Sequence, residues 1–218
     1  MYKSVIFICL IAFGYDTAVS AQGLDVALSL QRQRQDLEFS GDVRDTRQNS
    51  LDIVWKEPLH ARLTGSIQFG YLEIHQANNP VVAAQITDGG YLGIGMHVLL
   101  LDSPSFQIVT DLNYRYHETD SQLDNQVVQW RWHQGQLGLF GHWRVSPYLG
   151  LSLGSSAIWV DGTERLTGTI NQLNHFDARN PYSGHLGIRF YLDHTGSIGI
   201  ELNTGSLQGG QVTFQRAF

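Results

Sequence analysis

The sequence is poor in cysteine and in charged residues. Its single cysteine, Cys9, lies within the first 21 residues, and Asp, Glu, Lys and Arg together make up only 16% of the 218 residues. The part after residue 21 therefore forms no disulfide and offers no thiolate nucleophile or thiolate metal ligand. The formal net charge is −6, and no basic block is interleaved with aromatic residues, so nucleic acid is not an expected partner.

Residues 1–21 have the features of a secretory signal peptide. Lys3 supplies a positive charge, and Val5 to Phe13 is an unbroken apolar run that is too short to cross roughly 30 Å of hydrocarbon as a helix. Val19-Ser20-Ala21 provides the small-residue spacing that a signal peptidase accepts. We therefore expect cleavage after Ala21, which leaves residues 22–218 as the mature domain.

Long apolar runs and a sustained helical period are both missing after residue 21. Instead, apolar and polar residues alternate with a period of two, which is typical of strands with one apolar face. The clearest apolar row is Ile67, Phe69 and Tyr71, with Ser66, Gln68 and Gly70 on the opposite face. Comparable apolar rows begin at Leu24, Leu51, Leu92, Phe106, Leu149, Leu186, Ile198 and Val212.

One region breaks this alternation. Its apolar residues change from even to odd positions, and a change of parity within one strand requires an extra residue. We therefore predict a β-bulge between His133 and Gln136. Two separate strands are the alternative, but the sequence between these residues is a weak turn signal. The even set is Val128, Trp130 and Trp132, and the odd set is Leu137, Leu139, Trp143 and Val145.

The connections alternate between short and long. Tight turns built from Pro, Gly, Asp and Ser are expected at 56–59, 102–104, 145–147 and 193–196. Longer polar stretches lie at 36–48, 76–88, 118–125 and 161–181, and a shorter one at 205–209. Short turns at one end and long ones at the other are the hairpin arrangement of outer-membrane barrels. We count ten strands, from about 24–34 to about 210–218, with eight or twelve as alternatives.

The apolar rows indicate a transmembrane β-barrel. A soluble lipocalin-like barrel that binds a small apolar ligand, the alternative, would turn these rows inward. The rows hold almost no charge, and the polar rows are rich in Gly, Ser, Thr and Gln, which are small enough to fill a narrow lumen. Aromatic residues near strand ends predict two girdles at the headgroup level, formed by Trp55, Tyr71, Tyr114, Tyr116, Trp130, Trp132, Trp143 and Trp159.

The segment Gln211–Phe218 resembles the closing strand of Gram-negative outer-membrane β-barrel proteins. Its apolar row is Val212, Phe214 and Phe218, and in those proteins the terminal aromatic strand is recognised by the barrel-insertion machinery. Arg216 departs from the pattern because it occupies an outward position that is normally apolar, although an arginine near the periplasmic edge can reach the headgroups. The resemblance implies an all-β, up-and-down antiparallel transmembrane β-barrel in the cell outer membrane.

The polar rows carry charged residues that we expect to meet in the lumen. A narrow interior desolvates such charges, so they should pair with one another. A charge-paired plug would stiffen the barrel, and a narrow conducting path along the same network is the alternative. The members of this lumen polar network are Asp52, Lys56, Asp111, Arg115, His117, His185, Arg189 and Glu201, with Asp25 and His97 on the same rows.

The expected function is a structural or surface-interaction role in the outer membrane, with lipid and lipopolysaccharide as partners. The first hairpin is mixed in charge and could bridge lipopolysaccharide phosphates through Arg32, Arg34, Arg44 and Arg47. The histidines are scattered and no phosphate-binding glycine motif precedes a helix, so no metal or cofactor is expected. Oligomeric state and conductance are not indicated by the sequence.

An enzymatic function is the alternative that the resemblance raises. Some small outer-membrane barrels are lipid A-modifying enzymes or proteases, which use His with Ser, Asp or Glu near the outer rim. A general base needs a partner within hydrogen-bonding reach, and spacing along the chain does not show such contacts between strands. The candidates are Asp111, Arg115, His117 and Glu118 toward one long-loop end, and His175, Asp177, Arg179 and His185 in and after the longest loop.

Overall fold

The computed structural model describes residues 24–40, 42–76, 79, 85–123 and 125–218, so the expected signal peptide lies outside the described residues. No helix in these ranges is long and apolar enough to cross a membrane. The strands are β1 (Asp25–Phe39), β2 (Asp42–His60), β3 (Leu63–Gln76), β4 (Gln85–Asp102), β5 (Phe106–Leu123), β6 (Gln126–Ser146), β7 (Leu149–Gly168), β8 (Gln172–Ala178), β9 (Tyr182–Tyr191), β10 (Gly196–Gly205) and β11 (Gln208–Ala217).

Ten of these strands form a closed antiparallel ring. Each strand from β1 to β7 pairs with the next one along the chain, β7 pairs with β9, and β9, β10 and β11 follow in order. The ring closes where β11 pairs with β1, from Asp25 opposite Ala217 to Arg34 opposite Gln208. The predicted ten-stranded, up-and-down antiparallel barrel is therefore confirmed. Closure pairs every strand edge, as a sheet in lipid requires.

The orientation of the apolar rows distinguishes a membrane barrel from a soluble one. Leu92 and Ile94 are each 61% exposed on the outer surface, whereas Ser66 and Gln68 on the opposite face of the neighbouring strand are buried. The same division holds along β1, where Leu28 and Leu30 are exposed and the intervening Ser29 is buried. Apolar side chains thus cover the outside of the barrel and polar ones line its lower interior. This arrangement contradicts the soluble lipocalin-like alternative.

The strands have two very different lengths. β6 has 21 residues, which corresponds to about 70 Å of strand and roughly 50 Å of height at the usual tilt. β9, β10 and β11 have 10 residues each, enough to cross an apolar band of about 25 Å and little more. The longer strands therefore project well beyond the membrane on the side opposite the short turns.

The wall above the three short strands is completed by β8. Residues 172–177 pair with β7, and residues 176–178 pair with the end of β1. The turn between β10 and β11 bends beneath β8, where Leu207 is buried and its N–H donates to Ser183 Oγ at 2.9 Å. The barrel thus has ten strands within the membrane and eight, β1 to β8, above it. This change in strand number is a feature of tertiary structure that the sequence pattern did not predict.

The inside-outside pattern inverts where the strands leave the membrane. In the projecting part, apolar side chains point inward and polar ones outward, because water replaces lipid on the outer face. β6 shows this directly, since Trp130 and Trp132 are buried while Arg131 and His133 between them are exposed.

The predicted β-bulge between His133 and Gln136 is therefore wrong. β6 pairs with β5 and with β7 in unbroken register through these residues, and its irregularity lies between Arg144 and Ser146. For the same reason Trp130 and Trp132 do not belong to the aromatic girdles. The other six predicted girdle residues face outward: Trp55, Tyr71, Tyr114, Tyr116, Trp143 and Trp159.

Several predicted loops are strands. Residues 36–48 contain the ends of β1 and β2, residues 118–125 include the end of β5, and residues 161–181 contain the end of β7 and all of β8. These stretches are polar because one face of each strand is exposed to water. Their backbone is hydrogen-bonded to neighbouring strands. The turn expected at 56–59 lies at 61–62, since β2 continues to His60. The residues between 76 and 85, apart from Asn79, lie outside the described part.

The turn at 193–195 marks the short-turn rim. The Asp193 carboxylate accepts backbone N–H hydrogen bonds from Thr195 at 2.7 Å and Gly196 at 2.6 Å, and these bonds lower the pKa of Asp193 below its ordinary value. Arg216 lies opposite Gly196 on the outer face, and its charge adds to the lowering of this pKa. The outward arginine that departs from the apolar pattern therefore lies at the edge of the membrane, beside a carboxylate.

Candidate functional site

The lower part of the barrel encloses a polar cavity of about 550 Å³. The turn at 103–105 contributes to its lining, so the cavity reaches the short-turn end of the barrel. Gln31, Gln33 and Leu207 line it from above. A ten-stranded barrel is wide enough to leave such a space, whereas an eight-stranded interior is just filled by its own side chains.

Charged side chains of both signs surround this cavity. Lys56, Asp111, Arg115, Arg189 and Glu201 all contribute to its lining. Among the described residues of the cavity, one contact within 4.0 Å joins a basic and an acidic side chain, the hydrogen bond between His97 Nδ1 and Asp111 Oδ1 at 2.7 Å. The predicted direct pairing of the other charges is not observed. The physical reason is the width of the cavity: these groups are spread around its wall and lie beyond ion-pair distance of one another.

Three members of the lumen polar network, Asp52, Arg115 and His117, contact other residues of the barrel interior. Arg115 Nε donates to Gln68 Oε1 at 2.9 Å, and Asp52 Oδ2 accepts a hydrogen bond from Ser50 Oγ at 3.2 Å. The ring of His117 stacks on Trp132 at a centroid distance of 4.3 Å. The predicted network is thus divided. Asp52 and His117 lie outside the lining of the cavity, and the other members line it: Lys56, Asp111, Arg115, His185, Arg189 and Glu201.

A chain of hydrogen bonds joins three inward side chains of β7, β9 and β10. Ser156 Oγ lies 2.8 Å from His185 Nε2, and His185 Nδ1 lies 2.5 Å from Asn203 Oδ1. Because a carbonyl oxygen only accepts, Nδ1 carries the proton and Nε2 accepts from the serine hydroxyl. His185 and Asn203 line the cavity, and Ser156 is buried beside them. These hydrogen bonds have the same donor and acceptor directions as those between a nucleophile, its general base and a group that orients the base.

The upper interior is filled by an apolar plug. Its centre is aromatic: the Phe39 ring lies 5.5 Å from Trp130 and 4.9 Å from Phe176, and Trp130 lies 5.1 Å from Phe176. Trp130 and Phe39 are at most 2% exposed. The plug comprises Leu37, Phe39, Leu72, Ile74, Tyr91, Val128, Trp130, Trp132, Ile158, Val160, Leu166, Phe176 and Leu207.

A buried ion pair lies next to the plug. Arg44 Nη1 is 3.1 Å from Glu164 Oε2, with side chains 5% and 0% exposed, and the Arg44 guanidinium lies 4.0 Å from the centre of the Phe39 ring. Asn79 and Asn174 donate to the two oxygens of Glu164 at 2.9 and 2.8 Å. The carboxylate is thus fully hydrogen-bonded, which offsets the cost of its burial. Arg44, grouped in the sequence with the surface arginines, is an interior residue.

No family model and no curated protein matches the chain. Among solved structures, the outer-membrane protease OmpT from Escherichia coli is similar at a TM-score of 0.53, with 8% identity over 91% of this chain and 98% of that chain. The beta domain of the Bordetella autotransporter BrkA is similar at 0.52, with 13% identity over 90% and 99%. The translocator domain of autotransporter NalP from Neisseria meningitidis is similar at 0.51, with 13% identity over 92% and 90%.

The chain has the fold of a bacterial outer-membrane β-barrel. Together with the apolar outer surface, this fold places the protein in the outer membrane, as the sequence pattern predicted. In such barrels the short turns face the periplasm and the longer segments face outward. The cavity of this outer-membrane barrel therefore opens toward the periplasm, and the plug lies in the extracellular half.

The structure does not bring the enzyme candidates of the sequence together. Asp111 lies in the cavity, His117 is buried against Trp132, and Glu118 binds the exposed Arg131 at 2.7 Å on the outer surface. His175 and Asp177 are exposed on β8. Within the described ranges, no group of three His, Cys, Asp or Glu side chains has the geometry to hold a metal ion. Only His185 of the candidates takes part in a hydrogen-bonded chain with a serine.

Sequence reasoning missed the plug and the buried ion pair of the outer-membrane barrel. The signal for the plug was present in the even-numbered Val128, Trp130 and Trp132, which keep the lumen parity of Gln134 and Gln136 below them. The polar Gln129 and the charged Arg131 at the odd positions between them are the complementary signal. No pattern along the chain connects Arg44 to Glu164, which are 120 residues apart.

Proposed function

We propose that this protein is a closed outer-membrane barrel with a structural or surface-interaction role, in which the projecting β1–β8 sheet is the contact surface. The single observation that carries this proposal is the apolar plug across the extracellular half. A conducting lumen needs continuous polar lining, and here the polar cavity ends beneath buried aromatic rings.

The projecting sheet is suited to contact because it is rigid. Its central strand β6 pairs with β5 and β7 up to its extracellular end at Gln126, and the interior of the sheet is filled by apolar side chains. Binding surfaces held by packed elements lose less conformational entropy than mobile loops when a partner binds. The outer faces of these strands carry polar and charged residues such as Arg131 and Asp161, which suit an aqueous partner.

Ion conductance in planar lipid bilayers tests the closed state. We expect the wild-type barrel to insert without a steady open-channel current, and a plug variant with Trp130, Trp132 and Phe176 all replaced by alanine to conduct, because water can then join the cavity to the outside. The matched control replaces the lipid-facing Trp55, Trp143 and Trp159 by alanine and should stay closed.

Migration of unheated and heated samples on a denaturing gel shows that each variant is folded before its current is recorded. If the plug variant does not fold, the wild-type current alone decides the question. A steady, reproducible wild-type conductance would contradict the proposal.

We also infer that Val212, Phe214 and Phe218 are read by the barrel-insertion machinery. In support, the side chains of Val212 and Phe214 point outward from β11, Phe218 directly after β11 is exposed, and β11 is the strand that pairs with β1 to close the ring. The same inference includes export by the signal peptide at residues 1–21, because the protein must leave the cytoplasm before it can be inserted into the outer membrane.

A membrane-embedded hydrolase is the second candidate function. The observation that favours it is the hydrogen-bonded chain of Ser156, His185 and Asn203 beside the cavity. A neutral imidazole that accepts from a serine hydroxyl can act as its general base, and an amide oxygen can hold the required tautomer. The substrate would be an ester that enters from the periplasmic mouth, and acyl transfer to Ser156 Oγ would release its alcohol.

Labelling with a fluorophosphonate probe tests this second function. We expect the detergent-solubilised barrel to be labelled at Ser156 if the chain is catalytic, Ser156→Ala to lose the label, and Asn203→Ala to be labelled more slowly. Ser152→Ala, which alters another cavity serine, is the matched control. An unlabelled wild-type protein, or equal labelling of the Ser156→Ala variant, would remove the hydrolase candidate.

A further inference from the structure

Three arginines form a cluster on the outer surface directly above the apolar belt. Arg32 and Arg34 follow the lipid-facing Leu30 at the next two outward positions of β1, so the side chains of both arginines point outward. Arg34 lies opposite Arg47 of β2 in the strand register. We call Arg32, Arg34 and Arg47 the arginine cluster. Headgroups of the outer leaflet must lie at this height, because Leu30 and its partner Leu51 are still part of the exposed apolar surface.

The cluster has more positive charge than its neighbours neutralise. Like charges directly opposite one another in an antiparallel pair are unfavourable. Asp45 is the one carboxylate between them: its Oδ1 lies 2.6 Å from Arg34 Nε and its Oδ2 lies 4.0 Å from Arg47 Nε. Within the described residues Arg32 has no ion pair. The side chains of Arg34 and Arg47 remain 53% and 57% exposed, so most of their N–H donors face outward.

The neighbouring surface leaves room for a ligand. On the side of β11, Arg32 lies opposite Gly210 and Arg34 lies opposite Gln208. Gly210 carries no side chain, so no neighbouring side chain of β11 covers Arg32 at this position on the outer surface. The acidic residues of the same hairpin lie farther from the membrane: Asp36 is opposite Asp45, and Glu38 is one outward position beyond Asp36. Within this hairpin, positive charge therefore lies nearer the headgroup layer and negative charge lies nearer the medium. On the adjacent strand β3, the carboxylate of Glu73 lies opposite Asn49 and is bound by Asn49 and His75.

We propose that the arginine cluster binds the phosphate groups of the outer-leaflet glycolipid, lipopolysaccharide. Guanidinium groups bind phosphate through paired charge-assisted hydrogen bonds, and two or three of them around one phosphate would replace the mutual repulsion by attraction. The inference rests on the membrane orientation used for the proposed function and adds to it a named lipid and a site. Arg44 takes no part, because it is buried beside Glu164.

Binding of lipid A to the detergent-solubilised, full-length mature barrel tests this site. Native mass spectrometry would compare lipid A with its dephosphorylated form, on the wild-type protein and on the triple variant Arg32→Gln, Arg34→Gln, Arg47→Gln. We expect a roughly tenfold loss of affinity for each arginine removed. Dephosphorylated lipid A should bind the wild-type protein as weakly as lipid A binds the triple variant.

The matched control is Arg131→Gln. Arg131 is also on the outer surface and 50% exposed, but it is paired one to one with Glu118 at 2.7 Å, so its loss should leave lipid A binding unchanged. Equal binding by the wild-type and triple-variant proteins, or an equal loss in Arg131→Gln, would overturn the proposal. Competition by inorganic phosphate at concentrations comparable to lipid A would instead show a general anion site, and would also overturn it. Bilayer conductance of the triple variant tests the closed barrel separately from lipid binding, because conductance depends on the plug and not on the arginine cluster.

Discussion

Replacement of Trp130 by alanine is expected to lower the free energy of unfolding by about 3–5 kcal/mol. Trp130 is 1% exposed and contacts the rings of Phe39, Phe176 and Trp132 at centroid distances of 5.5, 5.1 and 6.5 Å. Its removal leaves a cavity that the surrounding strands cannot fill, since the backbone ladder of an eight-stranded barrel fixes their separation. Both the transfer energy of the indole and the cost of the cavity are therefore lost.

Urea titration in phospholipid vesicles, followed by the fraction of unheated protein that keeps the folded mobility on a gel, measures this loss without depending on tryptophan fluorescence. Trp130→Phe is the matched control: it keeps a ring in contact with Phe39 and Phe176, and its loss should be clearly smaller. Equal midpoints for Trp130→Ala and the wild-type protein would show that the plug contributes nothing to stability, and the closed barrel would then lack its main structural support.

Replacement of Glu164 by alanine is expected to lower the free energy of unfolding by a comparable amount, about 3–5 kcal/mol. The substitution leaves the Arg44 guanidinium, whose side chain is 5% exposed, without the buried carboxylate that lies 3.1 Å away. The other carboxylate in contact with it, Asp42 at 3.4 Å, is 62% exposed and therefore a weaker partner. The substitution also removes the acceptor of the Asn174 amide and one of the two acceptors of the Asn79 amide, which also donates to Gln76 Oε1 at 2.8 Å. A buried charge that loses its partner retains its full desolvation cost, which is the source of the large effect.

A double variant separates the net value of the ion pair from the cost of breaking it. Arg44→Met combined with Glu164→Leu removes both charges, and we expect it to recover most of the stability lost in Glu164→Ala. The exposed pair of Arg34 and Asp45 provides the control, since Asp45→Asn should change stability by about 0–1 kcal/mol. If the double variant were as unstable as Glu164→Ala, lost packing and not the unpaired charge would explain the effect.

The part of the fold within the membrane follows from local pattern. The rows that begin at Leu24, Leu51 and Leu92 needed only alternation and low charge to be assigned to lipid, and the structure places them there. The ten-stranded count followed from turn residues between the rows. These assignments succeeded because lipid imposes one simple condition on every outward position.

The part above the membrane required more than local pattern. If lipid is assumed to surround the whole barrel, the alternation places the inward Trp130 and Trp132 in a girdle and requires a bulge to restore parity. The polar stretch at 36–48 favours a loop by its composition, because a loop and a strand that faces water are both rich in polar residues. The pattern alone does not state which medium surrounds a strand.

The sequence by itself determined that this is a ten-stranded outer-membrane barrel with apolar residues toward lipid, because strand alternation and turn chemistry are local properties. Only the tertiary structure decided that the barrel narrows to eight strands, that an apolar plug and the ion pair of Arg44 and Glu164 fill its extracellular half, and that Ser156, His185 and Asn203 meet. These features depend on contacts between residues far apart in the chain, whose proximity is created by closure of the ring.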